Sequence, residues 1–453
     1  MEQKENGKLG LMACIFILAG GCIGSAIFSL SGLTMINGGP ASLLTWLIAA
    51  VIMVLYGFIV TELAVRYPVS GGVFEFPAKA IGRGCGFFSA WGYIISNIIA
   101  VAFSAITVGT FVCAGLSQMT MGAVWQYQKE ITLIAALVSI VLASIMNLLD
   151  VQTSGGINTG LVIALIAVML VYVVFAFASP GFQTENFRNF FTGAQPLGWI
   201  RSIPNAMVAY GTCVAIAFIV GQVSNPKKNV PRSLIISMIL VVILYLLMIV
   251  STVGIVDHET LIAEDGAFQP MFTAINHMGY SQGIVTVLYL ILGIAGLLAL
   301  FTTILVVQML NARALQSMAS AGLMPRFLTA ENRHRTPYIA TAVLAVPAFI
   351  LCFFNDVTSL LVNLGSITNA VTIMIVILSF ITARKRSGNV DGEYRAPGGV
   401  PMAVIAMAVI LATYIPSMIA SDALPMWIFT AAIYAAGAVL YGIFSKKNNK
   451  GNR

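Results

Sequence analysis

The sequence predicts an all-α integral membrane protein of twelve spanning helices. Ten form a five-plus-five inverted repeat and two stand outside it. Three observations predict this. Apolar residues make up 59% of the chain and charged residues only 9%, against roughly 25% charged in a soluble domain. Basic residues gather on one side of the membrane once twelve spans are drawn. Two glycine-rich interruptions, Gly20-Gly21-Cys22-Ile23-Gly24 and Tyr210-Gly211-Thr212-Cys213, lie five spans apart.

A spanning helix needs about 20 apolar residues. Runs without Asp, Glu, Lys or Arg extend from Leu9 to Thr61, Gly84 to Gln128, Val151 to Thr184 and Met278 to Ala312, among others. Divided at turn residues, the apolar runs give spans at 9–36, 40–65, 86–116, 131–149, 155–178, 203–223, 232–256, 282–310, 338–354, 357–383, 401–420 and 425–444. Asn37-Gly38-Gly39-Pro40 makes a tight turn between the first two spans, and Asn355-Asp356 another between the ninth and tenth.

With both termini cytoplasmic, 20 of the 23 basic residues fall inside; only Lys129, Arg188 and Arg201 do not. This is the asymmetry of the positive-inside rule. The net charge of +7 is therefore topogenic, and no nucleic-acid partner is expected. The first apolar run exceeds the roughly 7–15 residues of a cleaved signal and leads straight into a second span. The six cysteines lie singly in or beside spans, without disulfide or zinc spacing. No cofactor or metal is expected. His258, His277 and His334 fall in loops and read as solvated.

The chain divides into a cytoplasmic tail (1–8), a first five-helix repeat (9–178), a second (203–383), two peripheral helices (401–444) and a basic cytoplasmic tail (445–453). An offset of five spans, an odd number, inserts the second repeat upside down. Paired discontinuous helices in such repeats mark a midplane solute site. Irregular backbone survives in a membrane only where it lines a cavity or is buried in protein. The last two spans serve packing or contacts in a homodimer.

Gly20, Gly21 and Gly24 each weaken a helix by ~1 kcal/mol relative to Ala. Unwinding there exposes N–H groups near Ser25, Ala26 and Ile27 at the positive end of a second half-helix, a site for a substrate carboxylate. Carbonyls near Gly20 to Ile23 end the first half-helix and suit an α-ammonium. The alternative, close packing of helices through small residues, weighs most for Gly20 and Gly21.

Four segments carry a resemblance to a known family. Ile23-Gly24-Ser25-Ala26-Ile27-Phe28 resembles a first-helix signature, Ile-Gly-Ser-Gly-Ile-Phe. Glu62-Leu63-Ala64 with Tyr67-Pro68-Val69-Ser70-Gly71-Gly72 resembles the end of that family's second helix. Asn225-Pro226-Lys227-Lys228-Asn229-Val230-Pro231-Arg232 resembles the loop after its sixth. Ala319-Ser320-Ala321-Gly322-Leu323-Met324-Pro325 and Arg335-Thr336-Pro337 resemble the loop after its eighth. Over nearly its whole length the chain resembles the amino acid–polyamine–organocation permease superfamily. The resemblance implies the leucine-transporter fold, with helices 1 and 6 discontinuous.

It also implies site residues. Tyr210-Gly211-Thr212 resembles the family's aromatic-Gly-Gly break, with Tyr210 as a gate and Thr212 and Cys213 facing the substrate side chain. Asn97 resembles a third-helix Asn that lines the site; an interhelical hydrogen bond is its alternative. Ala26 stands where the family usually has Gly. Val214 stands where carriers of arginine or polyamines have Glu, and no Lys occurs in span five. Specificity is therefore sought at Ala26 and Val214. Ser104, Thr107, Thr302, Thr303 and Asn363 read as structural, since Ser and Thr commonly satisfy their own helix backbone.

The expected function is an amino acid permease of the plasma membrane, working by alternating access on a neutral substrate, with exchange favoured over proton symport. A cationic amino acid or polyamine antiporter and a proton-coupled symporter are the alternatives within transport. A channel or membrane sensor is the rival class. No enzyme constellation appears.

Overall fold

A computed structural model describes residues 9–24, 26–69, 71–119, 126–149, 151–218, 220–387, 394–418 and 424–451. Ser25 and Asp150 lie outside the described residues. Those described are helical, with one isolated bridge between Leu9 and Val223. Helix follows from lipid: only intrahelical bonds satisfy the backbone of a single span.

The first expected span is three pieces: α1 (Leu11–Cys22), a π-helical turn (Ala26–Leu30) and α2 (Ser31–Gly38). Gly39, at φ 57°, and Pro40 turn the chain into α3 (Ser42–Arg66). Trp46 of α3 donates to Thr34 Oγ1 of α2 at 2.9 Å and fixes that corner. The loop after α3 contains a short helix, α4 (Glu75–Ala80), with Phe74 and Phe76 buried. Then come α5 (Arg83–Met119), α6 (Gln128–Met146) and α7 (Val151–Phe177).

The second half starts with α8 (Gly198–Arg201) and α9 (Ile203–Ala209), followed by 3₁₀ turns at Gly211–Phe218 and Val220–Gln222. Asn225 takes the left-handed conformation and Pro226 opens α10 (Pro226–Val253). Both choices are physical: Asn tolerates that conformation, and Pro at the first helical position loses no hydrogen bond. The acidic loop after α10 carries α11 (His258–Ala263), capped by Asp257, and α12 (Pro270–Asn276). The chain ends with α13 (Gln282–Ser320), α14 (Tyr338–Leu351), α15 (Thr358–Ser387), α16 (Gly399–Met418) and α17 (Leu424–Gly451).

Each expected span contains helix, but lengths differ. Eight helical stretches among the described residues are long and apolar enough to cross a membrane. One of them, Leu11–Arg66, holds both of the first two expected spans. Tyr338–Phe354 and Gly399–Ile415 are apolar but shorter. Helix α13 runs ten residues past its expected end because Leu315, Met318 and Ala319 find buried positions beyond it.

Helices α5 and α13 pack along each other at the centre, with α6 and α15 beside α5. Helix α1 lies against α7, α10 and the 3₁₀ segment after α9. Leu9 N donates to Gln222 O at 2.8 Å, and Ser224 N donates to Leu9 O at 3.0 Å. The start of the first broken span is thus tied to the end of the sixth. Ile134, Ile428 and Val439 are over half exposed on α6 and α17, a surface suited to hydrocarbon rather than water.

Glu62, at 4% exposure, sits near the C-terminal end of α3. Arg384 of α15 grips it with two hydrogen bonds, at 2.9 and 2.6 Å, and Ala396 N adds a third at 2.7 Å. A buried carboxylate needs such company.

Candidate functional site

The two broken segments face each other. A Cβ on Gly21 would stand 2.9 Å from both Cβ and Oγ1 of Thr212. Thr212 Oγ1 in turn donates to Cys22 Sγ at 3.4 Å, and Cys22 Sγ donates to Tyr210 O at 3.8 Å. Helix α1 stops at Cys22 because Ile23 leaves helical geometry, at φ −73° and ψ 83°. Helix resumes at Ala26 and continues without a gap to Gly38.

Between the breaks lies a cavity of about 80 Å³. A single water needs about 10–15 Å³, so the space holds more than one water-sized group. Gly21, Cys22, Gly24 and Ala26 line it from the first break; Val208, Ala209, Gly211 and Thr212 from the second. Helix α5 adds Tyr93, Ser96, Asn97, Ile99, Ala100 and Phe103. Helix α13 adds Thr303 and Val307, and α15 adds Gly365, Ser366 and Asn369. No charged side chain is among these described residues.

Asn97 lines the cavity and also makes an interhelical bond: Nδ2 donates to Asn311 Oδ1 at 3.1 Å. It thus faces the cavity and joins α5 to α13. Thr303 donates to its own helix at Ala299 O, 3.0 Å away, as does Thr302 at 2.9 Å and Thr107 to Phe103 O at 2.8 Å. Asn363 has no described side chain. The glycines divide. A Cβ on Gly20 would collide with Val162 and Asn158, so this residue serves packing against α7. A Cβ on Gly211 would meet nothing within 4 Å.

Several expected residues lie elsewhere. Tyr210 is fully buried and does not line the cavity. Its ring packs with Trp46 and Tyr245, at centroid distances of 6.1 and 5.2 Å, and its hydroxyl donates to Trp46 O at 3.3 Å. An aromatic ring gains about 0.5–1.5 kcal/mol per such pair, which holds it off the cavity in this conformation. Cys213 points away too, toward Met53 O at 3.7 Å. Ile23, Ile27 and Val214 are buried off the cavity wall. In a helix, residues adjacent in sequence face different directions, so only part of each motif reaches one cavity.

The carbonyls at the end of α1 are also occupied. Tyr245 Oη donates to Cys22 O, and Thr302 Oγ1 lies 3.5 Å from Gly20 O. Tyr245 thus caps the broken helix and joins it to α10. Tyr93, Ser96, Ser366 and Asn369 escaped the sequence reading. The available signal was a carboxamide, Asn369, within a membrane span, where polar groups are costly.

A family model described as "Amino acid permease" matches residues 9–444. The chain is similar to Branched-chain amino acid permease BcaP of Bacillus subtilis, at 24% identity over 100% of this chain and 96% of the relative. It is similar to the Methylthioribose transporter of the same organism, at 23% over 96% and 93%. It is also similar to Cationic amino acid transporter 1 of Arabidopsis thaliana, at 27% over 81% of this chain and 60% of the relative. Family and relatives are permeases and transporters, not enzymes. A family match from end to end, over a multi-pass helical chain, places this protein in the amino acid permease family, within the superfamily its motifs resemble.

Proposed function

We propose that this permease carries a neutral amino acid by alternating access around the cavity between the two breaks. One observation carries the reading: the lining of the cavity is polar in places but uncharged. A zwitterion needs balanced partners, and backbone can supply them. N–H groups at Ala26 and Ile27 open a helical run that extends to Gly38, so the carboxylate meets a positive dipole end. A cationic side chain would need a carboxylate that the lining lacks. The branched-chain relative supports a neutral substrate.

In this reading twelve spans cross the plasma membrane with both termini cytoplasmic. Segments 9–178 and 203–383 form inverted repeats, and 401–444 lies at the periphery, where a second copy of the chain can dock. Exchange is the favoured mode, because span five carries no ionisable residue except Tyr172. The test uses purified protein in liposomes loaded with mixed neutral amino acids. Labelled neutral amino acid should enter by exchange without a proton gradient. Uptake that requires a proton gradient would overturn the exchange mode. Competition by arginine or putrescine, but not by neutral amino acids, would overturn the substrate class.

A further inference from the structure

We infer that Asn369 of α15 selects the side chain of the substrate, which is a small neutral amino acid bearing a hydroxyl or carboxamide group. The inference rests on the neutral amino acid reading above and narrows it.

Most polar side chains of the cavity already have partners. Ser96 Oγ donates to Gly365 O at 2.8 Å. Asn97 is bonded to Asn311, Thr212 to Cys22 and Thr303 to Ala299. Ser366 also has a partner. Asn369 differs. It lines the cavity, is half-buried, and makes no hydrogen bond to the described protein. A carboxamide carries two donor hydrogens and an acceptor oxygen. Asn369 is only half-buried, so water can meet these groups in the open cavity, and a ligand group that both donates and accepts can take that water's place.

Position assigns the part of the ligand it meets. The N–H groups suited to the carboxylate come from the first broken span, whereas Asn369 comes from α15, which packs on α5 and α9. The Ser96–Gly365 hydrogen bond pins α15 to α5 about one turn before Asn369 and holds it toward the cavity. A carboxamide both donates and accepts, so it matches a hydroxyl or another amide but offers nothing to a hydrocarbon. The volume of about 80 Å³ in this conformation favours small side chains. Sites built to hydrogen-bond a substrate group discriminate strongly against the analogue lacking it, because their own polar group is then left unpaired.

Threonine and valine are the direct probe, since they differ by hydroxyl against methyl at nearly constant shape. The full chain is reconstituted in liposomes and kcat/KM is measured for both by exchange. Threonine should exceed valine by at least about tenfold in the wild type. Asn369→Leu should bring the ratio to one or below. If that variant does not yield monodisperse protein, Asn369→Ala is read the same way, and thermal stabilisation by each amino acid gives a second measure of the ratio. Valine preferred by the wild type would overturn the inference while leaving the transport reading intact. So would a variant that loses both substrates equally, since that marks a structural role. Failure of the wild type to exchange any amino acid would overturn the transport reading and the inference together.

Discussion

Thr303 of α13 fills the space that a side chain on Gly24 would need. A Cβ at position 24 would stand 2.9 Å from Thr303 Cβ and closer still to the hydroxyl. Both residues line the cavity, so this contact sets how near α13 comes to the first break. Gly24→Ala should push them apart and reduce exchange by about a hundredfold, the scale of a ~1 Å misplacement. Thr303→Gly in the same chain should restore part of the rate, less a helix penalty of ~1 kcal/mol. Initial exchange rates, normalised to monodisperse protein, decide it.

Gly211 should behave differently, because a Cβ there meets nothing within 4 Å. Gly211→Ala should fold normally and place its methyl in the cavity. Threonine should then lose about tenfold more in kcat/KM than glycine does, the scale of one methyl-sized misfit. Ala26→Gly, on the opposite wall, should relax the size limit. A series of amino acids of rising size, tested on both variants, checks the pair.

Val214→Glu tests whether a sixth-span carboxylate alone would confer cation transport. Val214 is 4% exposed and off the cavity wall. The new charge would be buried without a partner, at a cost of about 2.5–3.5 kcal/mol. The variant should melt at lower temperature and gain no arginine transport. Measurable arginine exchange by a stable variant would show that this wall moves into the cavity during transport.

The Glu62–Arg384 pair calls for a double-mutant cycle. Removing Arg384 leaves the Glu62 carboxylate buried, at about 3–5 kcal/mol, whereas Arg384 is 19% exposed and can turn to water when Glu62 is removed. Arg384→Met should lower the melting temperature sharply, and Glu62→Met less so. The double variant should be more stable than either single one. The Ala396 N–H that also bonds Glu62 Oε2 should keep it below the wild type.

Much of the fold was legible because lipid leaves few options. Charge-free runs mark helices, Gly39-Pro40 marks a turn and Asn225-Pro226 marks a helix start, all through local backbone chemistry. The breaks were legible for the same reason: Gly21 and Gly24 sit where continuous helix is weak. The site was legible only in part. Asn97, Gly24, Ala26, Gly211 and Thr212 do line the cavity, yet Tyr210 and Cys213 turn into the core. Tyr210 is drawn there by Trp46 and Tyr245, partners 164 and 35 positions away in the sequence.

By itself, then, the sequence determined that this is a multi-pass helical membrane protein whose backbone is interrupted at two places. Those properties follow from hydropathy, charge and glycine content, which act within a few residues. The tertiary structure alone decided which wall each motif residue faces, and that the carbonyl at Cys22 is held by Tyr245. It also brought Asn369 into the cavity as a carboxamide without a hydrogen-bond partner among the described residues. These depend on how helices distant in sequence pack against one another, and packing direction is set by the partner surface, not by the local sequence.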